Sequence, residues 1–565
     1  MSRSVDERSE RYVADHAAAD PVTATGIGVA GHEHELTDYS PEGFDERLRL
    51  ARAALVDVRA ATPVDDREAV ARAAFLERVG LRVEHDEAGF TRSEVNVIAS
   101  PIHELRQVFD LMPTATAEDW EAVDARLAGV PGALAGLRVT LAEEAAHGRV
   151  SAARQYAEVA TQLERWTGQT GGGSVFADLV GRGVAAGTVP AGLRSSLERG
   201  AREATAAFAS LGLFLSDEME PRGRAVEAVG RDHYALASRL FLGATIDLEE
   251  TYAWGWEELA RIEADMRATA ARITPDATGP DAIDVAVAHL EGDPARRIEG
   301  REPFRAWMQE LADRVVGELA DVHFDIPEPV RRIECCLAPT NDGGIYYTGP
   351  SEDFSRPGRM WWSVPDGIEQ FHPWRETTTV FHEGVPGHHL QVGQTAYRSS
   401  LLNRWQRTMC WVSGHGEGWA LYAERLMDEL GYLDDPADRL GMLDAQGFRA
   451  ARVIVDIGMH LQLEIPADNP FGFHPGERWT PDLGLAFMRQ HSRDDDATIR
   501  FEVNRYLGWP GQAPSYKVGE RIWLEAREAA RARHGDAFDL KAFHRSALDL
   551  GSLGLDPLVA ALARI

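Results

Sequence analysis

The sequence predicts a mainly helical protein with one small β-sheet. Long segments rich in Ala, Arg, Glu and Leu carry apolar residues three and four positions apart, and Gly, Pro or Asp separates one segment from the next. A single stretch in the second half of the chain is instead rich in aromatic and aliphatic residues in short runs, a pattern typical of strands. No fixed period repeats along the chain, so we do not expect a solenoid.

Several elements can be placed in order along the chain. Ser40 predicts a helix start, because it can cap a helix whose first residue is Pro41. The segment 303–322 predicts a strongly amphipathic helix, and the glycine-rich segment 168–174 predicts a flexible connection. RRIECCLA, GGIYYTG and GRMWWSV predict the strands of the sheet, and the helical pattern resumes near Pro373.

Composition and charge exclude several classes of protein. Of the 565 residues, 44% are hydrophobic and 26% are charged, which is ordinary for a globular protein. The formal net charge of −31 repels phosphate backbones and anionic lipids, so we expect neither nucleic acid nor membrane as a partner. An acidic proteome or a need for solubility explains the same charge without any partner.

The cysteines and the N-terminus bear on the compartment. Cys335 and Cys336 are adjacent, which is too close for an ordinary structural disulfide between them, and the chain has three cysteines in all. The N-terminal segment carries charges where a signal peptide needs an apolar stretch, and no run of 18 apolar residues occurs. We therefore expect a cytoplasmic location.

The segment TTTVFHEGVPGHHLQ contains His382, Glu383, His388 and His389. In the H-E-x-x-H helix of zinc peptidases, imidazoles four residues apart lie about 40° apart around the axis and about 6 Å along it. Two such imidazoles reach one ion while the glutamate acts on water. Here the fourth residue after His382 is Pro386, so the standard motif is absent.

An undistorted helix cannot bring these histidines to one ion. His388 would be rotated by about 600° from His382, so its side chain would point to a different face of the helix. His389 would return to the same face but lie about 10.5 Å along the axis, too far for two nitrogens that must each lie ~2.1 Å from the metal. Pro386 and Gly387, however, should kink or bulge the helix and could return His388 toward His382. This geometry leaves His388 and His389 both open as the second ligand.

A second segment, SGHGEGWALYAER, supplies carboxylates. Glu417, Leu421 and Glu424 fall on one helix face by their spacing of four and seven. Glu417 follows His382 by 35 residues, the order found in zinc peptidases with a glutamate ligand. Alternatively, Glu417 only stabilises a helix N-terminus through the helix dipole.

Together these segments resemble the bacterial domain-of-unknown-function family 885, which is regarded as related to the glutamate-liganded zinc metallopeptidases, the gluzincins. YYTGPSEDFSRPG, ARVIVDIGMH and EVNRYLGWPGQAPSYKVGE agree with the family in the same order, and the resemblance spans most of the chain. It implies a large helical metallopeptidase-like fold with a substrate cleft and the small β-sheet near the metal site. It further implies peptide hydrolysis with one Zn²⁺ held by His382, His388 and Glu417, and with Glu383 as the general base.

Other residues in these segments are candidates for supporting roles. Tyr516 could donate a hydrogen bond to the oxyanion that forms when water attacks the substrate carbonyl, or it could be a buried tyrosine with a satisfied hydroxyl. Asp456 and His460 lie four apart on one helix face, so they could bind metal or support a ligand imidazole, and His460 could instead donate to the oxyanion. We also expect His389 and Glu424 to support the ligands.

Arg452, Arg505 and Lys517 could bind a substrate carboxylate, which would favour carboxypeptidase or dipeptidase action, or they could form structural ion pairs. Tyr346 and Tyr347 lie on a predicted strand whose edge could bind an extended peptide, or they could belong to the core.

The leading hypothesis is a zinc-dependent peptidase that acts on short peptides. The alternatives are a non-catalytic metal-containing peptide-binding protein and a metal-dependent amidase or esterase. Two imidazoles and one carboxylate also accommodate other divalent metals. We expect an N-terminal helical half, 1–325, and a metal-binding half, 326–565, in one continuous fold that encloses a cleft. The sequence does not determine the oligomeric state.

Overall fold

A computed structural model describes residues 4–338, 344–365 and 367–565. The described residues are mainly helical and form two small sheets, which confirms the predicted fold class at this level. Contacts divide the chain into two compact units. The first comprises the residues up to Val64 together with Phe75–Val229 and Phe501–Pro510; the second comprises Asp65–Ala74, Gly230–Arg500 and Gly511–Ile565.

The predicted division into an N-terminal helical half and a metal-binding half stays a prediction, and residue 325 itself lies inside the second unit. The reason is packing: residues 230–325 contain a long helix that packs along the helix of residues 436–461 in the same unit. The sequence pattern is helical on both sides of residue 229, so periodicity gives no signal for the observed division.

The helices, numbered in chain order, have the following bounds. From the N-terminus they are α1 Ser4–Ala19, α2 Pro21–Gly26, α3 Pro41–Ala60, α4 Asp66–Glu87, α5 Phe90–Ser93, α6 Pro101–Leu111, α7 Ala117–Ala146, α8 Ala153–Trp166, α9 Val175–Ala186 and α10 Arg194–Phe214. They continue as α11 Arg231–Leu242, α12 Leu248–Ile273, α13 Ala282–Gly292, α14 Arg301–Leu319, α15 Pro373–Glu383, α16 His388–Tyr397, α17 Arg404–Thr408 and α18 Ser413–Glu429. The last six are α19 Pro436–Leu461, α20 Pro481–His491, α21 Asp496–Gly508, α22 Ser515–His534, α23 Leu540–Leu548 and α24 Leu555–Leu562.

Local signals in the sequence account for several helix ends. The hydroxyl of Ser40 accepts a hydrogen bond from the backbone N–H of Gly43, and Pro41 is the first residue of α3, as predicted. The amphipathic segment predicted over 303–322 forms α14, and the glycine-rich segment 168–174 connects α8 to α9.

The predicted sheet is present. It consists of β2 Ile333–Leu337, β3 Ile345–Thr348 and β4 Gly358–Trp362, with β4 in the centre, parallel to β2 and antiparallel to β3. Two further strands, β1 Ile298–Glu299 and β5 Gln370–Phe371, pair with each other. These were not predicted, because two residues are too few to show the alternation that identifies a strand.

Each unit has its own core. In the first unit α7 packs against α10, and Trp120, Leu127, Phe208 and Leu211 are fully buried between the helices. Burial of such side chains is the main source of stability, at about 25 cal/mol for each Å² of apolar surface removed from water.

In the second unit, glycines allow the helices that carry the candidate site to approach closely. A Cβ atom on Gly418 of α18 would lie 2.4 Å from the carbonyl carbon of Gly519 in α22. A Cβ atom on Gly441 of α19 would lie 2.1 Å from the carbonyl oxygen of Trp374 in α15. The backbones of α18 and α22 are therefore almost in contact, and so are those of α15 and α19.

No helix among the described residues combines the length and apolar composition that crossing a bilayer requires. The three cysteines are free thiols. The cytoplasmic location stays a prediction.

Candidate metal centre

The motif HEGVPGHH is divided between two helices. Helix α15 ends at Glu383 and α16 begins at His388, so the kink expected at the proline is a complete interruption. A Cβ atom on Gly387 would lie 1.9 Å from the carbonyl oxygen of His382. Only glycine can therefore occupy this position, where the chain folds back on the end of α15.

The interruption brings the imidazole of His388 close to that of His382, whereas the imidazole of His389 bonds to other residues. The ring centroids of His382 and His388 lie 4.8 Å apart with the rings perpendicular. His389 has both nitrogens occupied, because Nδ1 lies 2.9 Å from the hydroxyl of Tyr347 and Nε2 lies 2.7 Å from the carbonyl oxygen of Val330. The structure thus places His388, and not His389, with the other candidate ligands.

Glu417 completes a set of three donor atoms. Its Oε2 lies 3.3 Å from Nε2 of His382 and 3.4 Å from Nε2 of His388. Atoms that each bind a tetrahedral zinc ion at ~2.1 Å lie roughly 3.4 Å from one another. Burial raises the pKa of Glu417, but the imidazoles of His388 and His382 outweigh it and hold the pKa well below its usual range. The donor set therefore fits zinc in chemistry and in spacing.

Glu424 holds His382 from the other side. Its Oε1 lies 2.7 Å from Nδ1 of His382, and its Oε2 accepts a hydrogen bond of 2.9 Å from the hydroxyl of Thr378. Because Nδ1 is taken up by this carboxylate, Nε2 is the nitrogen that faces Glu417 and is available to a metal. The position of Glu424, seven residues after Glu417 on the same helix face, agrees with the predicted supporting role.

Glu383 lies beside the donor atoms with a free oxygen. One donor atom from each of His382, Glu383 and His388 lies within 4.8 Å of the other two. Oε2 of Glu383 is buried and forms no hydrogen bond with the described residues. Burial raises the pKa of this carboxyl, and the two imidazoles only partly oppose it. Glu417 is the better candidate ligand, because its Oε2 lies 3.3 and 3.4 Å from Nε2 of the two imidazoles, and Glu383 is the candidate base.

Tyr516, the predicted oxyanion donor, lies in the first turn of α22. The guanidinium of Arg452 lies 4.9 Å from the centroid of its ring and that of Arg449 lies 5.9 Å from it. Arg449 also approaches Oε1 of Glu424 to 3.9 Å. Tyr516 is therefore connected to the site through Arg449, and its role in catalysis stays a prediction.

Lys517 and Arg505, both predicted to bind a substrate carboxylate, form ion pairs within the protein. Nζ of Lys517 lies 2.9 Å from both a carboxylate oxygen of Glu258 and Oε1 of Gln446, and it also contacts Glu520. Three partners use the three ammonium hydrogens of a buried side chain, which is the structural alternative considered above. Arg505 forms a forked ion pair of 3.0 and 2.8 Å with the glutamate three residues before it in α21.

Asp456 and His460 lie one turn apart on α19, as predicted. The carboxylate of Asp456 accepts hydrogen bonds from the hydroxyl of Tyr234 at 2.6 Å and from the backbone N–H of Gly511 at 2.9 Å. Nε2 of His460 lies 3.9 Å from the same carboxylate group. Asp456 thus links α11, through Tyr234, and the segment that precedes α22, through Gly511, to α19. Direct support of a ligand by Asp456, and catalysis by His460, stay predictions.

The two strand tyrosines differ in environment. Tyr347 of β3 is tied to His389 by its hydroxyl, so it positions the start of α16. Tyr346 is 37% exposed and stacks on Trp361 of β4, with ring centroids 6.2 Å apart. Substrate binding by either residue stays a prediction.

Three residues at the site were missed by sequence reasoning: Thr378, Arg449 and Trp411. Thr378 precedes His382 by one helical turn, and this spacing was the signal available for it. Arg449 lies on α19, and no pattern in the sequence around it indicates that it approaches Glu424. Trp411 lies with its ring centroid 5.9 Å from that of His388, and 52% of its surface is exposed.

The chain belongs to a family described as "Bacterial protein of unknown function (DUF885)", which matches residues 21–562. No curated protein matches it in sequence. In fold it is similar to a "putative lipoprotein" from Colwellia psychrerythraea, with a TM-score of 0.84 and 21% identity over 100% of this chain and 99% of that chain. A "putative lipoprotein of unknown function" from Shewanella oneidensis matches with a TM-score of 0.73 and 17% identity over 99% of each chain.

Proposed function

We propose that this protein is a zinc-dependent metallopeptidase that hydrolyses peptide bonds of short peptides, related to the gluzincins. One observation carries the proposal: Oε2 of Glu417 lies 3.3 Å from Nε2 of His382 and 3.4 Å from Nε2 of His388, the spacing expected between two ligand atoms on one tetrahedral zinc ion. Three protein ligands leave a fourth position for water or substrate, which is the arrangement of catalytic rather than structural zinc sites.

The residues around this set divide the chemistry between them. A zinc ion, when bound, acts as a Lewis acid that polarises a carbonyl group and lowers the pKa of water. Glu383, with a buried and unbonded oxygen, accepts the proton from the attacking water and can return it to the leaving amine. Glu424 keeps His382 in the tautomer that the metal requires.

The presence of Glu383 favours hydrolysis over metal-dependent binding alone. Leaving a buried carboxylate oxygen without a hydrogen bond is costly, and Oε2 of Glu383 has none among the described residues. The role of proton acceptor for water at the metal would account for an oxygen that lies there without a hydrogen bond. Such positioned bases contribute roughly 10²- to 10⁴-fold to the rate.

The test is metal analysis of the purified protein followed by a peptide-library cleavage assay read by mass spectrometry. We expect one zinc ion for each chain, cleavage by the wild type, and loss of cleavage by at least about 100-fold in Glu383→Gln with zinc retained. Glu429→Gln, an exposed change at the end of α18, is the matched control and should cleave normally.

Other outcomes would contradict the proposal. A protein that holds zinc and binds peptides without cleaving them would be a peptide-binding protein. One that hydrolyses only simple amides or esters would be an amidase or esterase. Absence of a metal in both the isolated and the reconstituted protein would exclude all three metal-dependent functions.

A further inference from the structure

Trp411 is an exposed aromatic residue on an anchored segment. It lies between α17 and α18, and its neighbours Cys410 and Val412 are buried, with 6% and 1% of their surfaces exposed. The Cys410 thiol donates to the carbonyl oxygen of Ser552, which fixes this segment further. The backbone is thus held in place while 52% of the tryptophan surface faces solvent.

The indole lies directly beside the candidate zinc ligands. Its ring centroid is 5.9 Å from that of His388, and the two rings are inclined at 59°. Gly416, the residue before Glu417, leaves space for it, because a Cβ atom on Gly416 would lie 2.3 Å from the indole ring. The first turn of α18 therefore has no side chain at the point where the tryptophan lies next to the site.

We propose that Trp411 is a specificity-determining residue that binds an apolar or aromatic side chain of the substrate, on a residue next to the bond to be cleaved. The inference rests on the proposed function. An exposed indole offers a flat apolar face that gains by burial and by aromatic stacking. The carboxylate of Glu417, which faces His388, and the net charge of −31 disfavour an acidic side chain there.

The test uses binding, so that it does not depend on turnover. Peptides of one sequence that vary only at one position, as Phe, Leu, Ala or Asp, are titrated against zinc-loaded Glu383→Gln and against Glu383→Gln with Trp411→Ala. We expect the Phe and Leu peptides to bind about tenfold more weakly to the double variant, and the Ala peptide to change by less than about twofold. Trp411→Phe should retain the preference.

Controls separate selectivity from stability. Tyr397→Ala removes another exposed aromatic residue, at the far end of α16, and should leave the preference unchanged. Zinc content is measured for every variant. If Trp411→Ala loses zinc, Trp411→Gln gives the same comparison with the side-chain length retained and the apolar ring removed.

The outcomes distinguish this inference from the proposed function. A preference for Phe and Leu that is unchanged in the Trp411 variants, an equal loss for all four peptides, or no binding of any peptide would overturn the inference. Selective binding through Trp411 without cleavage by the wild type would overturn the proposed function alone.

Discussion

At the residue scale, His382 is held between two carboxylates that lie two turns apart on α18. Glu417 faces Nε2 and Glu424 faces Nδ1, at 3.3 and 2.7 Å. The two carboxylates differ in their surroundings. Glu417, on the Nε2 side, also faces Nε2 of His388, whereas Glu424 is fully buried and accepts a hydrogen bond from Thr378. One helix thus supplies both a candidate ligand and the residue that orients another candidate ligand.

Replacing Glu424 should weaken the metal site without destroying it. In Glu424→Gln the charge that holds the Nδ1 proton of His382 is lost, so we expect zinc affinity to fall about 10- to 100-fold. Competition with a chromophoric chelator measures the affinity directly. Glu429→Gln on the same helix should show the wild-type value, and equal affinity in both variants would mean that Glu424 does not orient His382.

His103, in the first unit, gives a stability prediction that depends on pH. It is buried, and its ring nitrogens face the hydroxyl of Ser100 at 2.8 Å and Oε1 of Gln162 at 3.1 Å. Burial lowers its pKa to about 4, and the Gln162 side chain only partly opposes this. The folded protein therefore favours the neutral imidazole, whereas the unfolded chain titrates near about 6.5.

Between these two values the unfolded state binds more protons, so stability falls as the pH drops from about 6.5 to about 4. The contribution of His103 is complete above about pH 6.5, and its slope is at most about 1.4 kcal/mol for each pH unit. Unfolding by denaturant at pH 5 and pH 7 should show a smaller pH difference in His103→Gln than in the wild type. An unchanged difference would contradict the assignment.

At the scale of elements, the break between α15 and α16 determines the site. It is held to the rest of the site by Trp419 of α18, whose indole N–H donates to the carbonyl oxygen of Pro386 at 2.8 Å. The same helix carries Glu417 two residues before Trp419. The break and the third candidate ligand are therefore held by the same turn of α18.

A methyl group at Gly387 should destroy this arrangement. In Gly387→Ala the new Cβ would overlap the carbonyl oxygen of His382, so His388 must move away from the other donors. We expect a loss of bound zinc with little change in helix content by circular dichroism. Gly317→Ala in α14, where no atom lies within 4 Å of the new Cβ, should keep zinc and gain about 0.5 to 1 kcal/mol of stability. Full zinc binding by Gly387→Ala would show that the break tolerates a side chain.

At the scale of the whole molecule, every candidate ligand belongs to the second unit. A ligand that binds only the folded state stabilises it by about 2.7 kcal/mol at 100 times its dissociation constant. Zinc should therefore slow hydrogen exchange in α15, α16 and α18 and leave the core helices α7 and α10 unchanged. Exchange measured by mass spectrometry with zinc and with a chelator tests this. Equal protection of all these helices, or none, would place the metal elsewhere.

Local patterns were enough to predict the mainly helical character, the helix over 303–322 and the three-stranded sheet, because they depend on residues a few positions apart. The pair Ser40-Pro41 likewise predicted the start of α3. The proline and glycine of HEGVPGHH also indicated an irregular backbone at the site, because both residues disfavour a continuous helix.

Which side chains meet could be seen only in the folded molecule. The choice of His388 over His389 depends on the path of four residues between two helices, which spacing along the chain does not define. Lys517 is paired with Glu258, 259 residues away, so its charge alone could not reveal whether substrate or protein satisfies it. Contacts between distant segments arise from packing of whole helices, and that is the information a local pattern does not contain.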